Sequence, residues 1–129
     1  MKLLLDTHVI IWSAGKPEKL SQRVRNLLID TNNFWVVSMA NVWELQIKSQ
    51  LGKLNLSLSL PNFIETQQRV NNLQLLPIEL THIYALEALT SYHRDPFDRI
   101  LIAQAIVEKM TLLSIDTIFD AYPVQKIWE

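Results

Sequence analysis

"MKLLLDTHVIIW", residues 1–12, is the stretch that sets the reading of the fold. Lys2 to Asp6 carries three leucines in succession, the pattern of a short strand buried on both faces, and a helix is predicted from about Thr7. A strand that runs straight into a helix is the first half of a crossover unit, and the rest of the chain repeats it. "SQRVRNLLID" (21–30) predicts a helix with Ser21 as N-cap and Val24, Leu27 and Leu28 on one face. "FWVVS" (34–38) is β-branched and aromatic, hence a strand, and Ser38 is placed to cap the helix "ANVWELQIKSQL" (40–51). After the irregular "GKLNLSLS" (52–59), Pro61 suits the first turn of a helix running to about Asn71. "LQLLPI" (73–78) predicts a third strand, and Thr81 opens the helix "HIYALEAL". "HRDPFDRILIAQA" (93–105) leads into a further apolar helix, "TLLSI" (111–115) is a strand, and "KIW" near the end is a last edge strand. The order is that of an α/β fold, with a mostly parallel central sheet flanked by helices on both faces.

At 129 residues the chain is expected to form one domain, 1–129, with a single core. Apolar residues make up 49% of it, enough to supply that core. The formal net charge is −1, so no overall positive field advertises nucleic-acid binding; a polyanionic partner would be held locally or through metal ions. With no cysteine there are no disulfides, thiol nucleophiles or thiolate zinc sites, as suits a reducing cytoplasm, the expected location. Asp6 and His8 interrupt the apolar N-terminus, which is not expected to be a signal peptide. No apolar stretch approaches the ~18 residues of a membrane span. With Gly15 and Gly52 the only glycines, there is no phosphate-cradling glycine loop, which argues against P-loop nucleotide hydrolysis.

Parallel strands leave a sheet at a common edge, and ligand sites in open α/β sheets lie outside those carboxyl ends. Asp6 stands at the exit of the first strand and Asp116 at the exit of "TLLSI". Glu44 lies in the early turns of the helix after the second strand, and Asp98 in the first turn of the helix that feeds the last major strand. Four carboxylates thus have a route to one pocket. Like charges that close drive one another's pKa upward unless a cation intervenes, and hard Mg²⁺ or Mn²⁺ prefers such oxygen ligands. Zinc suits the set less well, because His8, His82 and His93 are scattered. Carboxylate-bound Mg²⁺ suits phosphoryl transfer, so metal-dependent phosphodiester hydrolysis is the expected chemistry.

"LLLDTHVIIW", "WELQIK", "HRDPFDRILIAQA" and "SIDTIF" together resemble the PIN-domain nucleases, specifically the VapC-type toxins of bacterial toxin–antitoxin pairs. The likeness spans essentially the whole chain, with the motifs in family order. It implies a PIN fold, Mg²⁺- or Mn²⁺-dependent endoribonuclease activity, homodimers, and inhibition by a cognate antitoxin. It assigns the catalytic, metal-binding quartet to Asp6, Glu44, Asp98 and Asp116, with Thr7 and Ser114 as polar supports. Ser114 stands where many relatives have threonine, which keeps the hydroxyl. Phe119 matches the aromatic that often follows the last acid. The choice of RNA over DNA rests on this resemblance alone.

Each of these residues has a simpler role beside the functional one. Asp95 precedes Pro96 and is expected to cap the helix; Asp98, the third helical residue, either complements the helix dipole or binds metal, and the latter is the reading adopted. Asp6 has the option of capping the helix from Thr7, Asp116 of capping the turn after it, and Glu44 of pairing with Lys48. His8 is expected to be a packed or surface histidine, and His93 either shapes its loop or contacts substrate. Arg94 and Arg99 are candidates for phosphate contact, Arg99 alternatively for pairing with a carboxylate. Lys16, Lys19, Arg23 and Arg25 form a basic stretch, read as a solvated helix face. "HVIIW" and "LSLSLPNF" are candidate apolar surfaces for a dimer or antitoxin, with ordinary core packing as the alternative, and most of the four tryptophans are expected to be buried. Two rival functions are a receiver-like phosphoacceptor, which lacks the lysine it needs after a late strand, and a catalytically inert PIN-like binding module.

Overall fold

The computed structural model describes residues 1–90, 92 and 94–129, so the loop or substrate role expected of His93 lies outside the described residues. Among the described residues, five strands form one sheet: β1 (Lys2–Leu5), β2 (Phe34–Ser38), β3 (Gln74–Leu76), β4 (Thr111–Leu113) and β5 (Lys126–Ile127). The α-helices described between them are α1 (Thr7–Gly15), α2 (Gln22–Ile29), α3 (Met39–Gln50), α4 (Leu60–Asn71), α5 (Leu80–Ala85) and α6 (Pro96–Glu108). The strand order is β3-β2-β1-β4-β5, and all four pairings are parallel. From β1 the chain winds to one side through β2 and β3, then returns to lay β4 on the other side of β1. The connections that leave the carboxyl ends of β1 and β4 therefore turn toward opposite halves of the sheet, the place where open α/β folds leave a crevice.

The successive leucines of β1 explain its central place. Leu3 and Leu5 join Trp35, Val37 and Leu113 in a core that α1, α2 and α4 cover with Val9, Ile10, Val24, Leu28 and Phe63. Leu4 points the other way and packs with Val36 and Leu112 against Leu101, Ile102 and Ala105 of α6, closed by Phe119 and Tyr122. A two-residue side-chain period with both faces covered demands apolar residues at every position, as the sequence has them.

The predicted helix starts hold where a short polar side chain precedes an apolar run. Ser21 Oγ accepts from Val24 N at 3.1 Å and Ser38 Oγ from Ala40 N at 3.1 Å, while Pro61 sits in the first turn of α4. Thr81 does not open α5, however. The helix begins at Leu80 behind Glu79, whose backbone N–H donates to the buried His82 Nδ1 at 3.0 Å. An imidazole acceptor three residues on thus satisfies the N–H of the residue before the helix. The third strand is shorter than predicted because Pro77 offers no N–H to the ladder.

The apolar segments singled out as partner surfaces are mostly core. Val9, Ile10 and Phe63 are buried, and Leu56 and Leu60 pack against them. The tryptophans are the reverse of the expectation. Trp35 is buried, its indole donating to Leu28 O at 2.9 Å, whereas Trp12 and Trp128 are half-buried and in edge contact, and Trp43 is 61% exposed.

Candidate active site

Asp6 follows β1 directly. Its backbone N–H donates to Leu113 O at 3.0 Å, which extends the β1–β4 ladder by one residue and fixes the carboxylate between the two strand ends. The side chain is only 7% exposed. One oxygen, Oδ1, accepts from Thr7 N at 2.7 Å at the start of α1, and the other, Oδ2, accepts from Ser114 Oγ at 2.7 Å. A nearly buried carboxylate is tolerable here because both oxygens have donors and the N-terminus of a helix faces it.

Thr7 and Ser114 tie the Glu44 carboxylate and the Asp116 backbone to this centre. Thr7 Oγ1 donates to Glu44 Oε1 at 2.7 Å, joining α1 to α3, and itself accepts from Asn41 Nδ2 at 2.6 Å. Ser114 Oγ, fully buried one residue past β4, accepts from Asp116 N at 3.0 Å while donating to Asp6. Asp116 is exposed and its Oδ1 accepts from Ile118 N at 3.0 Å, so it caps the 3-10 turn Thr117–Ala121. Glu44 keeps Oε2 toward Lys48 Nζ at 3.9 Å, a long ion pair one helical turn away.

The fourth acid arrives on another element. Asp95 caps α6, its Oδ1 accepting from Phe97 N at 2.9 Å and Asp98 N at 3.3 Å. Asp98 is the third residue of that helix and half-buried. The neighbours of Glu44 and Asp98, Trp43 and Phe97, meet edge to face with ring centroids 5.2 Å apart, which holds the early turns of α3 and α6 together. Asp6 and Glu44 are thus both held by Thr7, Asp116 joins them only through its backbone N–H to Ser114, and Asp98 stands on α6, whose first turn packs against α3 through Phe97 and Trp43. Among the described residues, no three His, Asp or Glu side chains close to within metal-holding distance of one another. The donor set is nonetheless all hard oxygen, and Mg²⁺ keeps several waters and needs only one or two direct carboxylates, so the chemistry of these residues fits such an ion.

The basic residues are mostly engaged elsewhere. Arg99 donates to the carbonyls of Thr90 and Leu86, at 3.0 and 3.4 Å, and so braces the turn before α6. Lys19 lies over the Trp12 ring at 5.5 Å, and Arg23 donates to Glu129 O at 2.9 Å. Arg94 is exposed. His8 is exposed and stacks on Trp12 with centroids 5.3 Å apart, a surface histidine. Beside the acids, Ala40, Trp43, Ile78, Ile83, Phe97 and Ile100 line an almost wholly apolar hollow of about 450 Å³. A larger one, near 720 Å³, lies by the amino end of β2 between Leu20, Leu28, Trp35 and Val70, where Asp30 is the one acid lining it.

Two residues escaped the sequence reading. Asn41 stands three positions before Glu44, a spacing that puts both on one helix face, and that was the available signal. His82 is fully buried, and its Nε2 lies 2.9 Å from Glu108 Oε2; a lone histidine in an apolar helix carried no sign of that partner 26 residues away.

The PIN domain family matches residues 3–125. No curated protein matches. Among solved structures, the chain is similar to VapBC2 from Rickettsia felis bound to a DNA fragment from their promoter (TM-score 0.75, 18% identity, 100% of both chains covered). It is also similar to VapBC-1 from nontypeable Haemophilus influenzae, at TM-score 0.70 and 20% identity over 98% of this chain and 97% of that one. A third, VapBC-5 of the VapBC family of toxin-antitoxin systems from Mycobacterium tuberculosis, gives TM-score 0.63 and 17% identity over 99% and 98%. At these identities the likeness is one of fold.

Proposed function

The chain belongs to the PIN domain family, and from that premise we propose that it is a metal-dependent endoribonuclease, the toxin of a toxin–antitoxin pair. The observation that carries the reading is the pair of carboxylates held by Thr7, whose backbone N–H donates to Asp6 and whose hydroxyl donates to Glu44, with Ser114 donating to the second oxygen of Asp6 at the carboxyl ends of β1 and β4. A carboxylate fixed in this way, with lone pairs remaining beyond its two donors, is placed to take a cation.

Asp6, Glu44, Asp98 and Asp116 would hold Mg²⁺ or Mn²⁺. Such an ion supplies activation of water and stabilisation of the leaving oxygen in phosphodiester hydrolysis. Thr7 and Ser114 orient their carboxylates by donating one hydrogen each, which leaves remaining lone pairs free to face the crevice. Asp95 secures the first turn of α6 and thereby the position of Asp98. Arg94 is the exposed cation nearest that turn in sequence and is assigned to the RNA backbone.

A cognate antitoxin is the proposed protein partner, in keeping with the VapBC assemblies to which the fold is similar. A homodimer is proposed through the apolar hollow around Trp43 and Ile83, where exposed Met39, Leu80 and Tyr84 enlarge the patch. No helix of the described residues is long and apolar enough to cross a membrane, and a cytoplasmic location is proposed with RNA as substrate.

The test is cleavage of several structured RNAs by purified protein in Mg²⁺, with and without chelator. Chelator-sensitive cleavage, absent in Asp98→Asn, is the expected outcome. No cleavage of any RNA would leave a PIN-like binding module as the better reading.

A further inference from the structure

Asn41 lies in the first turn of α3 and is 3% exposed. Its Nδ2 donates to Thr7 Oγ1 at 2.6 Å, and that hydroxyl donates to Glu44 Oε1 at 2.7 Å. Its Oδ1 is buried and has no hydrogen-bond partner among the described residues. We propose that Asn41 is a positioning residue, which sets the Glu44 carboxylate through Thr7. The inference rests on the nuclease reading and adds to it a residue that touches neither ion nor substrate.

The relay has one possible direction. A carboxylate only accepts, so the single hydrogen of Thr7 is spent on Glu44. The Thr7 oxygen must then accept from its other neighbour, and only the amide end of Asn41 donates. Turning the Asn41 amide by half a revolution would present Oδ1 to Thr7, compete for its hydrogen and release Glu44. The orphaned Oδ1 is the consequence of this requirement. A buried carbonyl without a partner disfavours folding, and an apolar side chain at position 41 would avoid it. Local cost of this kind is characteristic of residues held for a site rather than for stability.

Pinning one oxygen also decides which one is presented. With Oε1 held by Thr7, Glu44 offers Oε2 to the crevice, the atom whose other neighbour is Lys48 at 3.9 Å. Without the relay, the carboxylate regains rotation about its last bond, and an ion would have to order it on binding.

The experiment uses the whole chain, with Mn²⁺ as the probe and three variants: Asn41→Leu, which is close in size and has neither donor nor orphan; Asn41→Ala; and Thr7→Val. Mn²⁺ affinity is read by calorimetry, RNA cleavage as kcat and KM separately, and folding by the thermal midpoint. Asn41→Leu is expected to weaken Mn²⁺ binding about tenfold and lower kcat about 10- to 100-fold. KM for RNA should stay within a factor of two and the thermal midpoint should not fall. Adding Asn41→Leu to Thr7→Val should then change neither Mn²⁺ affinity nor kcat further, because both break one relay. Unchanged Mn²⁺ affinity and kcat in both position-41 variants, or multiplicative losses in the double variant, would overturn the proposal while leaving the nuclease reading intact. Wild-type protein that neither takes up Mn²⁺ nor cleaves RNA would overturn both.

Discussion

Ser114→Ala tests how the site is held together. The hydroxyl donates to Asp6 Oδ2 at 2.7 Å and accepts from Asp116 N at 3.0 Å, and the residue is fully buried. A hydrogen bond to a charged group contributes about 1.5–3 kcal/mol, and Asp6, at 7% exposure, has little water to replace it. Asp116 is exposed, so its amide recovers a partner from solvent and adds ~0.5 kcal/mol at most. No large cavity forms when a single hydroxyl is removed. The expected loss is therefore about 2–3 kcal/mol. With an unfolding entropy of about 2.1 cal/mol/K per residue over 129 residues, roughly 0.27 kcal/mol/K, the thermal midpoint should fall by about 7–11 °C. Calorimetry of metal-free protein measures it, and a cycle with Asp6→Asn isolates the pair, with an expected coupling of about 1–2 kcal/mol. A fall of less than about 2 °C, together with coupling under ~0.5 kcal/mol, would refute the claim that this hydroxyl stabilises the buried carboxylate.

Asp95→Ala should cost about 1 kcal/mol of stability as a lost N-cap, seen in denaturant melts, whereas Asp98→Asn should abolish RNA cleavage with a midpoint within the error of wild type. His82→Ala should destabilise by about 3 kcal/mol in the same melts, since it removes a fully buried ring and strands both Glu79 N–H and the Glu108 contact. Lys48→Ala should change stability by less than ~0.5 kcal/mol, its ion pair with Glu44 being long and partly solvated. Trp43→Ala should shift sedimentation from dimer toward monomer at micromolar concentration, and an unchanged sedimentation coefficient would remove the apolar hollow from the proposed interface.

What the amino-acid order determined by itself was periodic or local. Three consecutive leucines before Asp6 specify a strand buried on both faces, and both faces are covered. Ser21, Ser38 and Asp95 announce helix starts, because capping is an interaction within three residues. The rule that parallel strands exit at one edge placed Asp6 and Asp116 at the same sheet edge, and the strand order then set their strands side by side. Only the tertiary structure decided what depends on separations of tens of residues. Ser114 meets Asp6 across 108 positions and Asn41 meets Thr7 across 34, and the family resemblance or a helical spacing could mark these residues without giving their partners. The same holds for Trp43, apolar by type yet left at the surface, and for His82, partnered inside the fold by Glu108. Hydrophobic period and capping are encoded along the chain; which donor satisfies which buried acceptor is settled only when packing excludes water and leaves one partner within reach.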